Sequence, residues 1–491
     1  MPAAATVAAT APKTVDPNIV YFNGIDLETG NYSVMPRSIE ELARDVRVNP
    51  GVTSSIRDLH GEQPRSFGLP FGIEFDKLEG AGWGIVFHES TPQDVRTALA
   101  PLMALRQNQA KSQFEELDYK TGEQARDWYA RYGVASGSME PEKVPYYLLL
   151  VGGPELIPFE FQYLLGVEYA VGRLAFDTAA EYERYARSIV AYEQANSVPN
   201  TREVAYWGTH HLGDGATELS SSQLISPLAN GIAGVTGALK QPISAQVHYG
   251  QKLFAEGDAT KAALLECFHA AKPPALLFTV SQGISIPSGR PNQRADQGAL
   301  LCQDWPSFGN IRPEHMMRAA DIDDAANVNG MVALVFACFG GGTPDADQFL
   351  MNLSQAGNAP PLAPKPFIAA LPRRLLSHPN GSALAVIGHI DRAWGFSIQT
   401  PNTAGPQIGP FRNGLGQILT GNPVGHALAQ QFGAKYAALS TMLLSAVSPT
   451  APPSMRPSDR DLVTWWLQRN DAQNYVLLDD PAARIRNDLL V

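Results

Sequence analysis

The chain is 491 residues long, more than one compact core holds and the right size for two or three α/β units. Hydrophobic residues make up 44% and aromatics 9%, which excludes wholesale disorder. The net charge of −11, with no long Lys/Arg run, argues against a nucleic-acid binder, and no stretch of 18 uninterrupted apolar residues offers a spanning helix.

Residues 1–19 are Ala/Pro/Thr-rich and read as a disordered tail, without the basic start and apolar run of a signal peptide. Residues 20–80 carry turn signals such as Asn23-Gly24 and Thr29-Gly30, and read as a small irregular or β-rich N-terminal module. The first α/β unit follows. Gly84-Ile85-Val86-Phe87 reads as a strand, and Thr91-Pro92-Gln93-Asp94 as a helix start with Thr91 as N-cap. Val95, Leu99, Leu102 and Leu105 then share one helical face.

From residue 144 one theme repeats. Tyr146-Tyr147-Leu148-Leu149-Leu150-Val151, Val204-Ala205-Tyr206-Trp207, Ala275-Leu276-Leu277-Phe278-Thr279-Val280, Val332-Ala333-Leu334-Val335-Phe336-Ala337 and Ala383-Leu384-Ala385-Val386-Ile387 are continuously apolar. Continuous runs mark strands buried on both faces, and helical spacers such as 179–194 and 259–271 separate them. The expected architecture is a doubly wound α/β sheet sandwiched by helices over 81–400, as two subdomains split near 200–270. Residues 401–491 add helical stretches at 424–445 and 458–468 and a last strand at Tyr475-Val476-Leu477-Leu478.

Ligands of open α/β sheets bind beyond the carboxyl ends of the strands. Those ends present Gly152-Gly153, His210-His211, Ser281-Gln282-Gly283, Cys338-Phe339-Gly340-Gly341-Gly342 and Gly388-His389. A cysteine at a strand tip, followed by glycines, can expose its sulfur while backbone N–H groups face a developing oxyanion. The same residue also reads as a buried structural cysteine. The glycine run fits neither dinucleotide nor P-loop spacing. Cys267 and Cys302 read as packing residues. Three cysteines without CxxC spacing suit a reducing compartment, and the cytoplasm is the expected location. His210, His211 and Asp214 lack a third ligand at metal spacing, so neither metal nor cofactor is expected.

Several strings, in order, resemble the gingipain-type cysteine peptidases, family C25 of the caspase-like clan, and its large bacterial group in particular. They are 146–153 followed by Pro154-Glu155-Leu156-Ile157-Pro158, then Ala170-Val171-Gly172-Arg173, Thr279-Val280-Ser281, Gly283, Phe336-Ala337-Cys338 and Asp480-Pro481-Ala482-Ala483-Arg484. The resemblance implies a caspase-like fold and a metal-free endopeptidase acting on protein or peptide substrates. Cys338 would be the nucleophile, and the N–H groups of Gly283 and Cys338 would hold the oxyanion. The family's histidine belongs where Gln282 stands, and an amide cannot take a proton from a thiol. Three explanations stay open: natural loss, an introduced inactivating change, or a displaced base. His389 is the candidate for that base, against a structural histidine bonded to a backbone carbonyl. Trp394 reads either as a wall of the S1 pocket or as an ordinary buried aromatic. No carboxylate stands before Glu168 in the loop where Arg-specific relatives carry one, which disfavours a basic P1 residue. With Gln282 the expected activity is absent or severely impaired, with room for an activating partner protein. A pseudoprotease that binds peptides or a partner in the same cleft is the alternative, and a nucleotide or small-molecule enzyme is a third reading.

Overall fold

A computed structural model describes residues 16, 18–22, 24–51, 68–135, 137–347, 361–393, 398, 405–448, 452 and 456–490. Ten strands form one sheet: β1 Trp83–His88, β2 Phe114–Tyr119, β3 Tyr147–Val151, β4 Ala170–Leu174, β5 Thr201–Gly208, β6 Gly250–Ala255, β7 Pro274–Val280, β8 Val332–Phe336, β9 Ala385–His389 and β10 Tyr475–Asp479. Every residue of β1, β3, β4, β7, β8, β9 and β10 is buried, as continuous apolar runs require. The spatial order is β2-β1-β3-β4-β10-β9-β8-β7-β5-β6.

This order contains two reversals. β1 pairs in parallel with both β2 and β3. β5 pairs in parallel with both β6 and β7, after which the chain steps inward to β8 and β9. Two α/β halves therefore meet in one sheet, as the mostly parallel doubly wound reading expects. The junction is β10. It runs antiparallel to β9 along its whole length and touches β4 where Leu477 stands opposite Gly172. The final strand thus sits in the middle of the sheet.

Four helices matter for the site and its support: α1 Ile39–Val48, α2 Gln93–Ala110, α3 Ala179–Gln194 and α4 Asp459–Asn474. α1 opens on a reciprocal cap, in which Glu41 N donates to Ser38 Oγ and Ser38 N to the Glu41 carboxylate, each at 3.2 Å. Its apolar face joins Val20, Phe22, Ile39, Leu42 and Val46 to Leu462, Val463, Trp466 and Leu467 of α4. The N-terminal segment therefore packs on a helix from the far end of the sequence. Among the described residues no helix is long and apolar enough to cross a membrane.

α2 corrects two expectations. It begins at Gln93, with Pro92 in extended backbone at the cap position, because a residue before proline resists the helical region and Thr91 stays outside. Its buried face is completed by Arg106 (1% exposed), whereas Leu105 is half-buried. Arg106 Nε donates to Asp480 Oδ2 at 2.6 Å and Nη1 to Glu193 Oε2 of α3 at 2.8 Å, while Trp83 Nε1 donates to Asp480 Oδ1 at 2.8 Å. One guanidinium thus ties β1, α2, α3 and the chain beyond β10. Removing one partner of a buried ion pair leaves an uncompensated charge. Arg106→Met is expected to lower the unfolding free energy by about 3–5 kcal/mol in urea, against about 1 kcal/mol for Leu105→Ala. Equal losses would show the network to be dispensable.

Candidate active site

The parallel strands β9, β8, β7 and β5 lie side by side in the order that delivers His389, Cys338, Gln282 and Asp214. Val280 stands level with Phe336, so Gln282 and Cys338, each two residues further on, leave neighbouring strands together. Asp214 follows β5 on the far side of Gln282. The chain leaves β5 toward β6 and leaves the adjacent β7 toward β8, in opposite directions, the kind of switch point at which α/β sheets place a ligand crevice.

A hydrogen-bonded bridge spans that crevice. Gln282 Nε2 donates to Asp214 Oδ1 and Oδ2 at 3.1 and 3.0 Å. Asp214 also caps the short helix that follows it, accepting from Ala216 N at 3.1 Å and from Thr217 Oγ1 at 2.9 Å. Tyr32 Oη donates to the same carboxylate. Burial and the Asp214 charge push the Tyr32 phenol far up, which keeps its proton in place for that bond. Gln282 Oε1 accepts from Gly24 N at 2.7 Å. Gly24 reaches the cysteine as well: a Cβ built there would lie 3.6 Å from Cys338 Sγ, and its φ of +106° suits glycine alone.

Gln282 and Cys338 are both fully buried (0% exposed). A Cβ on Gly283 would fall 1.8 Å from the Cys338 carbonyl oxygen, so only a glycine lets the two strand ends pack backbone to backbone. Sγ accepts from Ala393 N at 3.2 Å, and the Gly283 amide supports it from the other side. Burial pushes the thiol up to about 12, against the pull of the Ala393 amide and Arg392. Burial thus favours the neutral thiol over the thiolate. Cys302, equally buried, is pushed up further by the same cause, and Cys267 up to about 11.

The residues beyond Cys338 correct the expectation of a glycine-rich oxyanion cradle. Phe339 takes a left-handed φ of +59°, a strained setting for a bulky residue. Its N–H donates to Asp391 O, that of Gly340 to Ala337 O and that of Gly341 to His389 O. These amides are committed. The glycines are there for close approach, since a Cβ on Gly388 would meet Gly341 Cα at 2.7 Å. Of the groups named from sequence, the Gly283 amide is turned to the sulfur itself.

His389 Nδ1 lies 2.9 Å from Asp391 O, and Nε2 lies 3.4 Å from Asp471 Oδ1, at ion-pair range but outside hydrogen-bond geometry. The ring also stands edge-on to Tyr475 at 5.0 Å. Nδ1 is thus taken up by a backbone carbonyl, the contact that the structural reading expects of this histidine. His211 is buried beside Trp305, with Nδ1 3.4 Å from Ser307 Oγ, and burial lowers it to about 4. Behind the sulfur, Arg392 Nη1 donates to Asp347 Oδ2 at 2.6 Å and lies 3.6 Å from Asp391 Oδ1. Burial and Asp347 push Asp391 up to about 7. Gly152 and Gly153 follow β3, four strand spacings from β8, roughly 19 Å away. They do not join the site. Trp394 lies outside the described residues. Among the described residues no three His, Cys, Asp or Glu side chains gather as a metal site would need.

Three contributors went unread in the sequence. Asp214 was weighed only as a metal ligand, although a carboxylate just past a strand end on the Gln282 side is what an orienting acid would look like. Gly24 carried a turn signal and nothing more. Tyr32 had no signal at all.

No family model and no curated protein matches the chain. Among solved structures it is similar to the Arg-specific cysteine proteinase gingipain R (11% identity, TM-score 0.46, covering 83% of this chain and 79% of that one). It is similar also to a structure described as a protease (11%, 0.47, 83% and 80%). A third likeness is to the complex of pro- and mature domains of RgpB from Porphyromonas gingivalis (12%, 0.43, 83% and 80%).

A thiol this buried, with no base seen bonded to it among the described residues, should alkylate slowly at neutral pH. Its rate is expected to climb steadily with pH, without an inflection near pH 6, and His389→Ala should leave the profile unchanged. Mass-spectrometric alkylation of Cys338 checks this. An inflection near 6 that His389→Ala removes would make His389 the base.

Proposed function

We propose that the crevice is the peptide cleft of a caspase-like cysteine peptidase in which Cys338 holds the nucleophile's place and Gln282 the base's. In this sequence the cleft binds peptide or a partner segment and cleaves it poorly or not at all. The observation that carries the reading is the bridge from Asp214 to Gln282, beside Cys338. A carboxylate that receives a ring N–H orients an imidazole for proton transfer, and Asp214 does for the amide what it would do for that ring. With histidine at 282, one nitrogen would bond Asp214 and the other would be free to take the thiol proton. Attack of the thiolate on a peptide carbonyl would give a thioester, with the imidazolium protonating the leaving amine and the Gly283 and Cys338 amides holding the oxyanion. Glutamine removes the proton acceptor and keeps the shape: its carbonyl is occupied by Gly24 N–H and its amide by Asp214. The binding reading is favoured for the same reason, because a buried amide with every bond made is a stable wall and not a vacancy. Reading the same crevice as a basic P1 pocket finds no support, since Arg392 already sits between Asp347 and Asp391.

The test is Gln282→His against a broad peptide library. A gain of about 10²–10⁴-fold over the parent chain is expected, the range a positioned general base supplies. Cys338→Ala in that background should abolish it, and Asp214→Asn should reduce it by about tenfold or more. A Gln282→His chain as inactive as the parent would sink the peptidase-derived reading.

A further inference from the structure

The segment that covers Cys338 is a small hairpin with its own internal bonds. Ser33 N donates to Gly24 O, Asp26 N to Asn31 O and Gly30 N to Asp26 O, each at 2.9 Å. Its first arm, Ile25–Asp26, lies in parallel beside Ile284–Ser285, the residues directly after Gly283. Ile25 N donates to Gly283 O at 3.3 Å and Leu27 N to Ser285 O at 3.1 Å, the ladder by which an extended peptide adds to a sheet edge. Gly24 then falls over the sulfur, Ile25 enters an apolar cluster with Ile284, Ile286, Leu301 and Trp305, and the second arm sends Tyr32 to Asp214. Outside the cleft, Glu28 pairs with Arg290 at 2.7 Å with both side chains half in solvent.

We propose that this hairpin, residues 24–33, is a tethered occupant of the peptide slot, which closes the site over Cys338 until the hairpin swings out. The slot's ligand is an extended peptide with glycine over the sulfur, a branched aliphatic residue next and an acidic one after it. The inference rests on reading the crevice as a peptide cleft. The tether is visible on both sides. Val20 and Phe22 before the hairpin, and α1 after it, are fixed on α4, so the hairpin can leave as a unit while its ends stay docked. Inside the slot it is held by buried Ile25, half-buried Leu27 and a handful of polar bonds. A tethered segment competes at an effective concentration near the millimolar range, so a free peptide enters only when the hairpin is loosened.

The test uses the full chain and reads alkylation of each cysteine by mass spectrometry at mildly alkaline pH, with buried Cys267 and Cys302 as internal controls. In Tyr32→Phe combined with Glu28→Lys, Cys338 alone should react about tenfold faster. A synthetic peptide spanning residues 22–30 should restore protection, and the same peptide with valine in place of glycine should not. An unchanged Cys338 rate, an equal rise at all three cysteines, or no protection by the peptide would each overturn the proposal. The unmutated chain gives a second reading by hydrogen exchange, where the amides of Gly24, Ile25 and Leu27 should exchange well before those of α1. Simultaneous exchange would make the hairpin part of the folded core and overturn the idea. Alkylation and exchange need no general base, so an inactive Gln282→His chain would leave these results standing.

Discussion

Val280 and Phe336 lie level on neighbouring parallel strands, and the rest of the site depends on that register. A parallel pair keeps residues of equal rank about 4.8 Å apart across the ladder, so Gln282 and Cys338 emerge together. The carbonyl of Cys338 against the α-carbon of Gly283 locks them there. Slipping one strand by one residue would turn its side chains to the other face and carry the amide and the thiol apart. The fully buried β7 and β8 hold the register by packing, and the loop residues Gly24, Asp214 and Ala393 then fix the two side chains at their tips.

The electrostatics around this pair favour an uncharged site. The sulfur has lost water and gained two backbone N–H neighbours, which are weaker compensation for a thiolate than an imidazolium would be. Arg392 stands between Asp347 and Asp391, so its pull on the sulfur is opposed by the carboxylate of Asp391. Tyr32, Gln282, Thr217 and the Ala216 amide together surround Asp214 with donors. The group that links Asp214 to the Cys338 side is the Gln282 amide, which does not titrate.

Sequence reading reached the sheet because its strands advertise themselves: runs such as Leu276-Leu277-Phe278 have one physical use. It reached Cys338 and Gln282 through the rule that ligands gather at strand ends. It could not order those ends, which is why Gly152 and Gly153 were grouped with residues roughly 19 Å away. It missed the buried Arg106, because a helical face is read by hydrophobicity and an ion pair with Asp480, 374 positions later, leaves no local trace. Gly24 and Tyr32 escaped for the same reason. Their partners, Gln282 and Asp214, are 258 and 182 positions away, and only the fold brings them together.

β10 has a consequence for how the chain acquires its shape. Its residues come after all nine other strands, yet they sit between β4 and β9. Until Tyr475–Asp479 arrives, each α/β half ends in an unpaired strand with its N–H and C=O groups open, the feature that templates pairing with other chains. Joining the halves also awaits a long loop closure, since Leu477 must find Gly172, which places this step late and makes it slow. The same insertion carries Asp480 to Arg106 and brings α4 to the floor on which α1 and the hairpin's tether rest. The cover over Cys338 is therefore among the last parts to assemble, and a chain halted short of that step would present its thiol bare.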